Sequence, residues 1–143
     1  MILLDVNVMV YAARLDAVDH VRYRRWLEGA MRGTEPVALA EESLAAVVRI
    51  TTHRKIWKEP LTHDQVFAFI ETLLSGRAAT TVGPGPNQWE VFQLLCRDAD
   101  ARGNLVSDAW LATTAIEHNA TLITTDRDFA RFPGLRWRHP LAA

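Results

Sequence analysis

The stretch "NLVSDAWLATTAIEHNATLITTDRDF", residues 104–129, joins a helical pattern directly to a strand pattern. Its first part predicts a helix over about residues 107–118, with Ser107 or Asp108 near its start. The run "TLITT", residues 121–125, is typical of a buried strand, and "DRDF" after it predicts a turn. A helix that leads into a buried strand is the repeating unit of α/β folds.

The remaining chain continues this alternation. "MILLD", residues 1–5, predicts a short buried strand, and Tyr23, Trp26, Leu27 and Ala30 share one face of a helix over about residues 18–32. Further predicted elements are a strand at 36–40, helices at about 41–52, 63–75 and 87–102, a strand end and turn at 81–88, and a last strand at 135–139. Thr62 is the predicted N-cap of the 63–75 helix. The sequence therefore predicts a short parallel β-sheet with helices on both faces (α/β/α).

Length and composition narrow the class of protein. The 143 residues, 49% of them apolar, predict one domain over residues 1–143 with a sizeable core. No apolar run suits a membrane span and no signal peptide is recognised, so we expect no membrane partner and a cytoplasmic location. The single cysteine, Cys96, is interpreted as a core residue. A net charge of −1 gives no general attraction to nucleic acid.

Three acidic residues have a comparable setting. Asp5 and Asp126 each follow a predicted strand, and Asp108 starts a predicted helix. The carboxyl ends of parallel strands share one edge of a sheet, so Asp5 and Asp126 are expected to lie side by side. Clustered carboxylates repel one another, and a hard cation such as Mg2+ relieves that repulsion. Two of them also have a simpler interpretation: Asp108 suits the positive end of its helix, and Asp126 suits a turn or cap, whereas Asp5 is not obvious turn chemistry.

Two stretches resemble a known family. "LLDVNVMVYAAR", residues 3–14, and residues 103–137 are similar to PIN-domain proteins of the VapC toxin type. The resemblance implies that Asp5 and Asp108 bind Mg2+ or Mn2+ and that Asp126, with Asp128 as a second acid, completes an acidic pocket. It also implies a homodimeric, metal-dependent endoribonuclease that cleaves structured RNA (tRNA or rRNA) and is held inactive by a VapB-like antitoxin.

One position departs from the family pattern. The family usually supplies a fourth acid, a glutamate, from the helix after the second strand, and here that position is Ala46. Glu42 lies one helical turn earlier on the same face, and Glu41 lies nearer the strand end. Either is a candidate substitute, and both equally suit a helix N-terminus. Ala46 also permits an alternative, a PIN-fold binding module with weakened or lost catalysis.

Other polar residues are candidates for supporting roles. Asn7 is placed either to hold a carboxylate or water, or to cap the following helix. The basic residues Arg49, Arg54 and Lys55, with Trp57, predict an RNA-binding stretch, unless Trp57 packs inward at a solvated helix end. Arg127 lies between two acids and is a candidate for phosphate contact. An aspartyl-phosphate mechanism is a weak alternative, because Asn7 stands where a haloacid-dehalogenase pattern requires a second aspartate.

Overall fold

The computed structural model describes residues 1–142, which form short strands alternating with helices. The strands are β1 (Ile2–Leu4), β2 (Val37–Ala40), β3 (Ala79–Val82), β4 (Thr121–Ile123) and β5 (Trp137–Arg138). The helices are α1 (Val6–Ala13), α2 (His20–Arg32), α3 (Glu41–Thr51), α4 (His63–Leu74), α5 (Gln88–Asp98) and α6 (Asn104–Glu117), and a short 3-10 helix spans Arg127–Arg131. None of these helices is both long and apolar enough to span a membrane.

The strands form one parallel sheet in the order β3-β2-β1-β4-β5. β1 lies at its centre, with Leu3 in register with Ala38 on one side and with Leu122 on the other. The chain adds β2 and β3 on one side of β1 and then crosses to add β4 and β5 on the other. The α/β/α prediction is confirmed.

Each face of the sheet carries its own hydrophobic core. Successive side chains of a strand point to opposite faces, so Ile2 and Leu4 enter one core and Leu3 enters the other. The first core packs residues of α1, α2, α3 and α4 against the sheet. The second packs residues of α5 and α6, and Cys96 lies half-buried against it. Burial of the central strands on both faces explains their uninterrupted apolar sequences.

Several element boundaries differ from the predictions. Helix α1 follows β1 directly, although no helix was predicted over Val6–Ala13. Asp5 is therefore the N-cap of α1 rather than the last residue of a strand. Helix α6 begins at Asn104, one turn earlier than predicted, so the placement of Asp108 at the helix start was wrong. Helix α5 ends at Asp98, short of the predicted 102.

The start of helix α4 and the end of strand β4 were both predicted from the sequence. Thr62 is the N-cap of α4, and its Oγ accepts a hydrogen bond from the Gln65 amide while the Gln65 side chain accepts one from the Thr62 amide. This reciprocal capping box confirms the predicted start of the helix. Strand β4 ends at Ile123, so the second half of "TLITT" lies beyond the strand.

Candidate functional site

A group of polar side chains lies at the carboxyl ends of β1 and β4, where the order of the strands changes direction. β1 and β4 are neighbours, yet β4 is reached only after β2 and β3 have been added on the other side. Asp5 follows β1 and Thr124 follows β4, and the Asp5 amide donates to the Ile123 carbonyl at 2.9 Å. In open parallel sheets, ligands bind at the carboxyl ends of the strands beside such a switch point.

Asp5 is held firmly at this position. It is only 7% exposed, and its Oδ1 accepts a hydrogen bond from the Val6 amide at 2.7 Å. Its Oδ2 accepts one from Thr124 Oγ1, also at 2.7 Å. Burial raises the pKa of Asp5, the two hydrogen bonds lower it, and the nearby Asp126 raises it further. Each carboxylate oxygen still has a lone pair available for a further ligand.

Thr124 connects Asp5 to Asp126. This side chain is fully buried, and besides donating to Asp5 its Oγ1 accepts from the Asp126 amide at 3.0 Å. Asp126 Oδ1 in turn accepts from the Asp128 amide at 2.8 Å and caps the 3-10 helix. Thr124 was not among the residues predicted from the sequence. The only signal was a hydroxyl residue two positions before Asp126, and its bond to Asp5 spans 119 positions of sequence.

Replacement of Thr124 by valine tests this link. Valine has a similar shape but would leave Asp5 Oδ2 and the Asp126 amide without their shared partner. We expect the free energy of unfolding to fall by about 1–3 kcal/mol, the usual cost of unpaired buried polar groups. Chemical denaturation measures the change. Thr124→Ser, which keeps the hydroxyl, is the matched control and should lose much less stability. Equal losses for both variants would assign the effect to the methyl group.

Asp108 joins the same acidic group from helix α6. It lies in the second turn of α6 and is half-buried. Burial, followed by the charges of Asp5, Asp126 and Asp128, raises its pKa to about 6. The fold therefore brings the predicted acids Asp5, Asp126 and Asp128 within electrostatic range of Asp108.

The donor set fits a hard divalent cation. Within residues 1–142, no arginine or lysine forms an ion pair with Asp5, Asp108 or Asp126. Asp128 has only an exposed pair with Arg131 at 3.9 Å. The same residues contain no group of three acidic, histidine or cysteine side chains already spaced as metal ligands. Mg2+ is commonly bound through one or two carboxylates plus water, so a pair such as Asp5 and Asp108 is sufficient.

Glu41 and Glu42 follow β2, the strand next to β1 in the sheet. Both are in the first turn of α3, directly after β2. Burial alone raises the pKa of Glu42, with no contribution from another carboxylate, whereas Asp108 responds to three. Position 46 is an alanine, so α3 has no acid where the family pattern has its glutamate. The role of Glu42 as the fourth acid stays a prediction.

The basic residues predicted to bind RNA do not form one cluster. Arg49 is in the last turn of α3, eight residues and hence about 12 Å of helix from Glu41, and Arg54 and Lys55 are exposed beyond it. Arg127 is exposed next to Asp126. The structure thus places Arg127 alone among these basic residues next to an acid of the site.

The structure gives the contacts of Trp57 and the position of Asn7 in its helix. The Trp57 indole nitrogen donates to the Ile50 carbonyl at 2.8 Å, and the Arg14 guanidinium covers its ring at 4.1 Å. The inward-packing alternative therefore describes Trp57, whose ring is covered by Arg14. Asn7 is the second residue of α1, so it does not cap that helix, because Asp5 does.

Comparison with known proteins agrees with this architecture. The sequence profile of the PIN domain family matches residues 2–135. The chain belongs to the PIN domain family. It is 43% identical over 141 residues to Ribonuclease VapC43 of Mycobacterium tuberculosis, covering 99% of this chain and 96% of that protein. Ribonuclease VapC25 of the same species is 35% identical, covering 98% of this chain and 99% of that protein. Within the PIN family the chain is thus of the VapC type.

Solved structures share the PIN fold at low sequence identity. VapBC2 from Rickettsia felis, bound to a promoter DNA fragment, matches with a TM-score of 0.69 at 21% identity, covering 97% of this chain and 98% of that one. VapC20 of Mycobacterium tuberculosis, described as a toxin that cleaves the sarcin-ricin loop, matches with a TM-score of 0.69 at 15% identity, covering 95% and 99%. At such identities the likeness shows the fold alone.

Proposed function

We propose that this PIN protein is a Mg2+- or Mn2+-dependent endoribonuclease, the toxin of a type II toxin–antitoxin module, and that it cleaves structured RNA such as tRNA or rRNA. The carrying observation is the group of Asp5, Asp108 and Asp126 at the sheet switch point, with no basic side chain of residues 1–142 paired to any of the three. The VapC-type relatives at 43% and 35% identity bear the name ribonuclease, which supports RNA as the substrate.

The mechanism assigns a separate task to each carboxylate. Asp5 and Asp108 would hold the cation, and Asp126, with Glu42 as a further candidate, would orient the attacking water or a second ion. A cation held by these carboxylates would supply positive charge for the scissile phosphate and make the attacking water more acidic. Thr124 fixes the relative positions of Asp5 and Asp126 through its two hydrogen bonds. Hydrolysis by such a site leaves 5′-phosphate and 3′-hydroxyl ends.

The proposal includes a partner. Structural neighbours include VapBC complexes from Rickettsia felis, nontypeable Haemophilus influenzae and Salmonella typhimurium, which supports a VapB-like antitoxin for this chain. We further propose a homodimer that acts in the cytoplasm. Co-expression with any small antitoxin-like reading frame encoded beside this chain, followed by purification and mass measurement of the complex, tests both the antitoxin and the dimer.

Cleavage of RNA by the purified, antitoxin-free chain tests the proposed activity. The reaction is run on total tRNA and on ribosomal RNA with Mg2+, with Mn2+ and with EDTA, and the product ends are identified by their reactivity to phosphatase and kinase. We expect discrete fragments with 5′-phosphates in the presence of either cation, and none with EDTA. Fragments of equal yield in EDTA would contradict metal dependence.

A binding module without catalysis is the second candidate. The observation that favours it is Ala46, which leaves the usual fourth acid missing from α3. In that case the chain would retain RNA affinity in a gel-shift assay and yield no fragments with any cation.

A further inference from the structure

A separate cleft opens one strand away from Asp5. Its volume is about 240 Å3, and its lining includes Ala40, Glu41, Glu42, Gly83 and Trp110. Strands β1 and β2 pair with Ile2 opposite Val37 and Leu3 opposite Ala38, so the same register carries Asp5 to the level of Ala40. Neighbouring strands are about 4.8 Å apart, which places the wall formed by Ala40 next to the acidic group.

One wall of the cleft is held rigidly. The loop after β3 is tied to α6 by a hydrogen bond of 2.8 Å between the Gly83 carbonyl and the His118 ring. Gln88 accepts from the Gly85 amide at 3.0 Å and donates to Thr114 at 3.0 Å. A side chain at Gly85 would collide with Glu117 of α6, so the loop packs closely on that helix. A wall fixed in this way needs little ordering when a ligand binds.

The chemistry of the lining limits the ligand. At about 240 Å3 the cleft is smaller than the 300–1,000 Å3 typical of sites for drug-sized molecules, and it suits a single ring system. Trp110 supplies an aromatic surface and makes an edge contact with Phe92 at 5.2 Å between ring centroids. Glu42 supplies only hydrogen-bond acceptors when it is ionised. Proteins often bind an unstacked RNA base by stacking it on an aromatic ring and forming hydrogen bonds to its edge.

We propose that this cleft binds a guanine base of the RNA next to the scissile phosphate, against Trp110 and with its donor edge on Glu42. The inference rests on the proposed ribonuclease function and gives that site a base preference. Guanine presents two adjacent donors, N1–H and the exocyclic amine, which match the two oxygens of one carboxylate. Uracil has one donor on the corresponding edge, and adenine and cytosine each present a ring acceptor beside their amine, which a carboxylate repels.

In this proposal Glu42 reads the base instead of orienting the attacking water, so it is not the fourth acid of the catalytic group. A residue that reads a base changes which substrate is cut, whereas a ligand of the catalytic cation changes the rate for every substrate. Replacing guanine by inosine removes only the exocyclic amine, so it probes this contact without any change to the protein.

The experiment measures kcat/KM for hairpin RNAs randomised at the two positions that flank the cut. We expect the wild-type protein to favour guanine at one flanking position, and inosine there to lower kcat/KM about tenfold, the effect of losing one hydrogen bond to a charged group. In Glu42→Ala we expect the guanine and inosine substrates to be cut at similar rates. Glu71→Ala, an exposed glutamate on α4 outside the cleft, is the matched control and should keep the wild-type preference.

The outcomes separate this inference from the proposed activity. Cleavage without guanine preference in the wild-type protein overturns the inference and leaves the ribonuclease standing. An inosine effect of the same size in Glu42→Ala as in the wild type also overturns it. If the wild-type protein cuts no RNA with Mg2+ or Mn2+, the proposed function and the inference are both overturned.

Discussion

Replacement of Asp5 by asparagine is expected to lower the rate of RNA cleavage about a hundredfold or more, corresponding to about 3 kcal/mol of lost transition-state stabilisation. Asparagine keeps the shape of the side chain and can still accept the hydrogen bond from the Val6 amide, which begins α1. The substitution removes the negative charge of Asp5, a residue that is only 7% exposed and lies near Asp126 and Asp108. Initial rates on the same RNA, with circular dichroism to verify folding, measure the change.

Asp98→Asn is the matched control for this variant. Asp98 is the exposed last residue of α5 and lies outside the acidic group, so the same chemical change there should leave cleavage unaffected. Equal cleavage by the wild-type protein and Asp5→Asn would show that this carboxylate takes no part in the reaction.

Replacement of Asp108 by asparagine is expected to stabilise the metal-free protein at neutral pH while abolishing cleavage. The pKa of Asp108 is raised from 3.8 to about 6 in the folded state, so the folded protein holds this proton more tightly than the unfolded chain. Stability therefore falls as the pH rises from about 3.8 through about 6, and the full penalty applies above that range. After a reduction for solvent screening at a half-buried site, the penalty is about 1–2 kcal/mol.

Denaturation at several pH values measures this penalty. In EDTA, Asp108→Asn should exceed the wild-type protein in free energy of unfolding by about 1–2 kcal/mol at pH 7.5, and the difference should shrink toward pH 4. Addition of Mg2+ should stabilise the wild-type protein more than the variant, because a ligand that binds only the folded state adds to its stability. A variant that is less stable than wild type at pH 7.5 would contradict the repulsion between Asp108 and its neighbours.

The acids of the site were predictable because their positions follow from sheet topology. Asp5 and Asp126 each come just after a run typical of a buried strand, and parallel strands bring such positions to one edge. Asp108 was singled out as the start of a predicted helix and became a metal-ligand candidate through the resemblance, even though that helix begins a turn earlier than its pattern indicated. Thr124 was not found, because its bond to Asp5 joins residues 119 apart and depends on the register of β1 with β4.

Helix α1 shows where the sequence pattern is ambiguous. Its residues, "VNVMVYAA", are apolar except for Asn7, and four of them, Val8, Met9, Val10 and Ala12, are buried. A helix buried on most sides has no polar face, so its sequence lacks the 3.6-residue period and resembles a strand. In the structure the Val6 amide donates to Asp5 Oδ1, so Asp5 caps the start of this helix. The carboxylate at the end of the first strand is therefore both a helix cap and a candidate cation ligand.

The most direct test of the account is a calorimetric titration of the antitoxin-free protein with Mn2+ and Mg2+. We expect a saturable heat of binding for the wild-type protein, the same heat for Asp98→Asn, and its loss in Asp5→Asn and Asp108→Asn. That result would assign cation binding to the carboxylates at the switch point between β1 and β4. Absence of any metal-dependent heat in the wild-type protein, measured on a sample that is folded by circular dichroism, would contradict the account and favour a PIN module without catalysis.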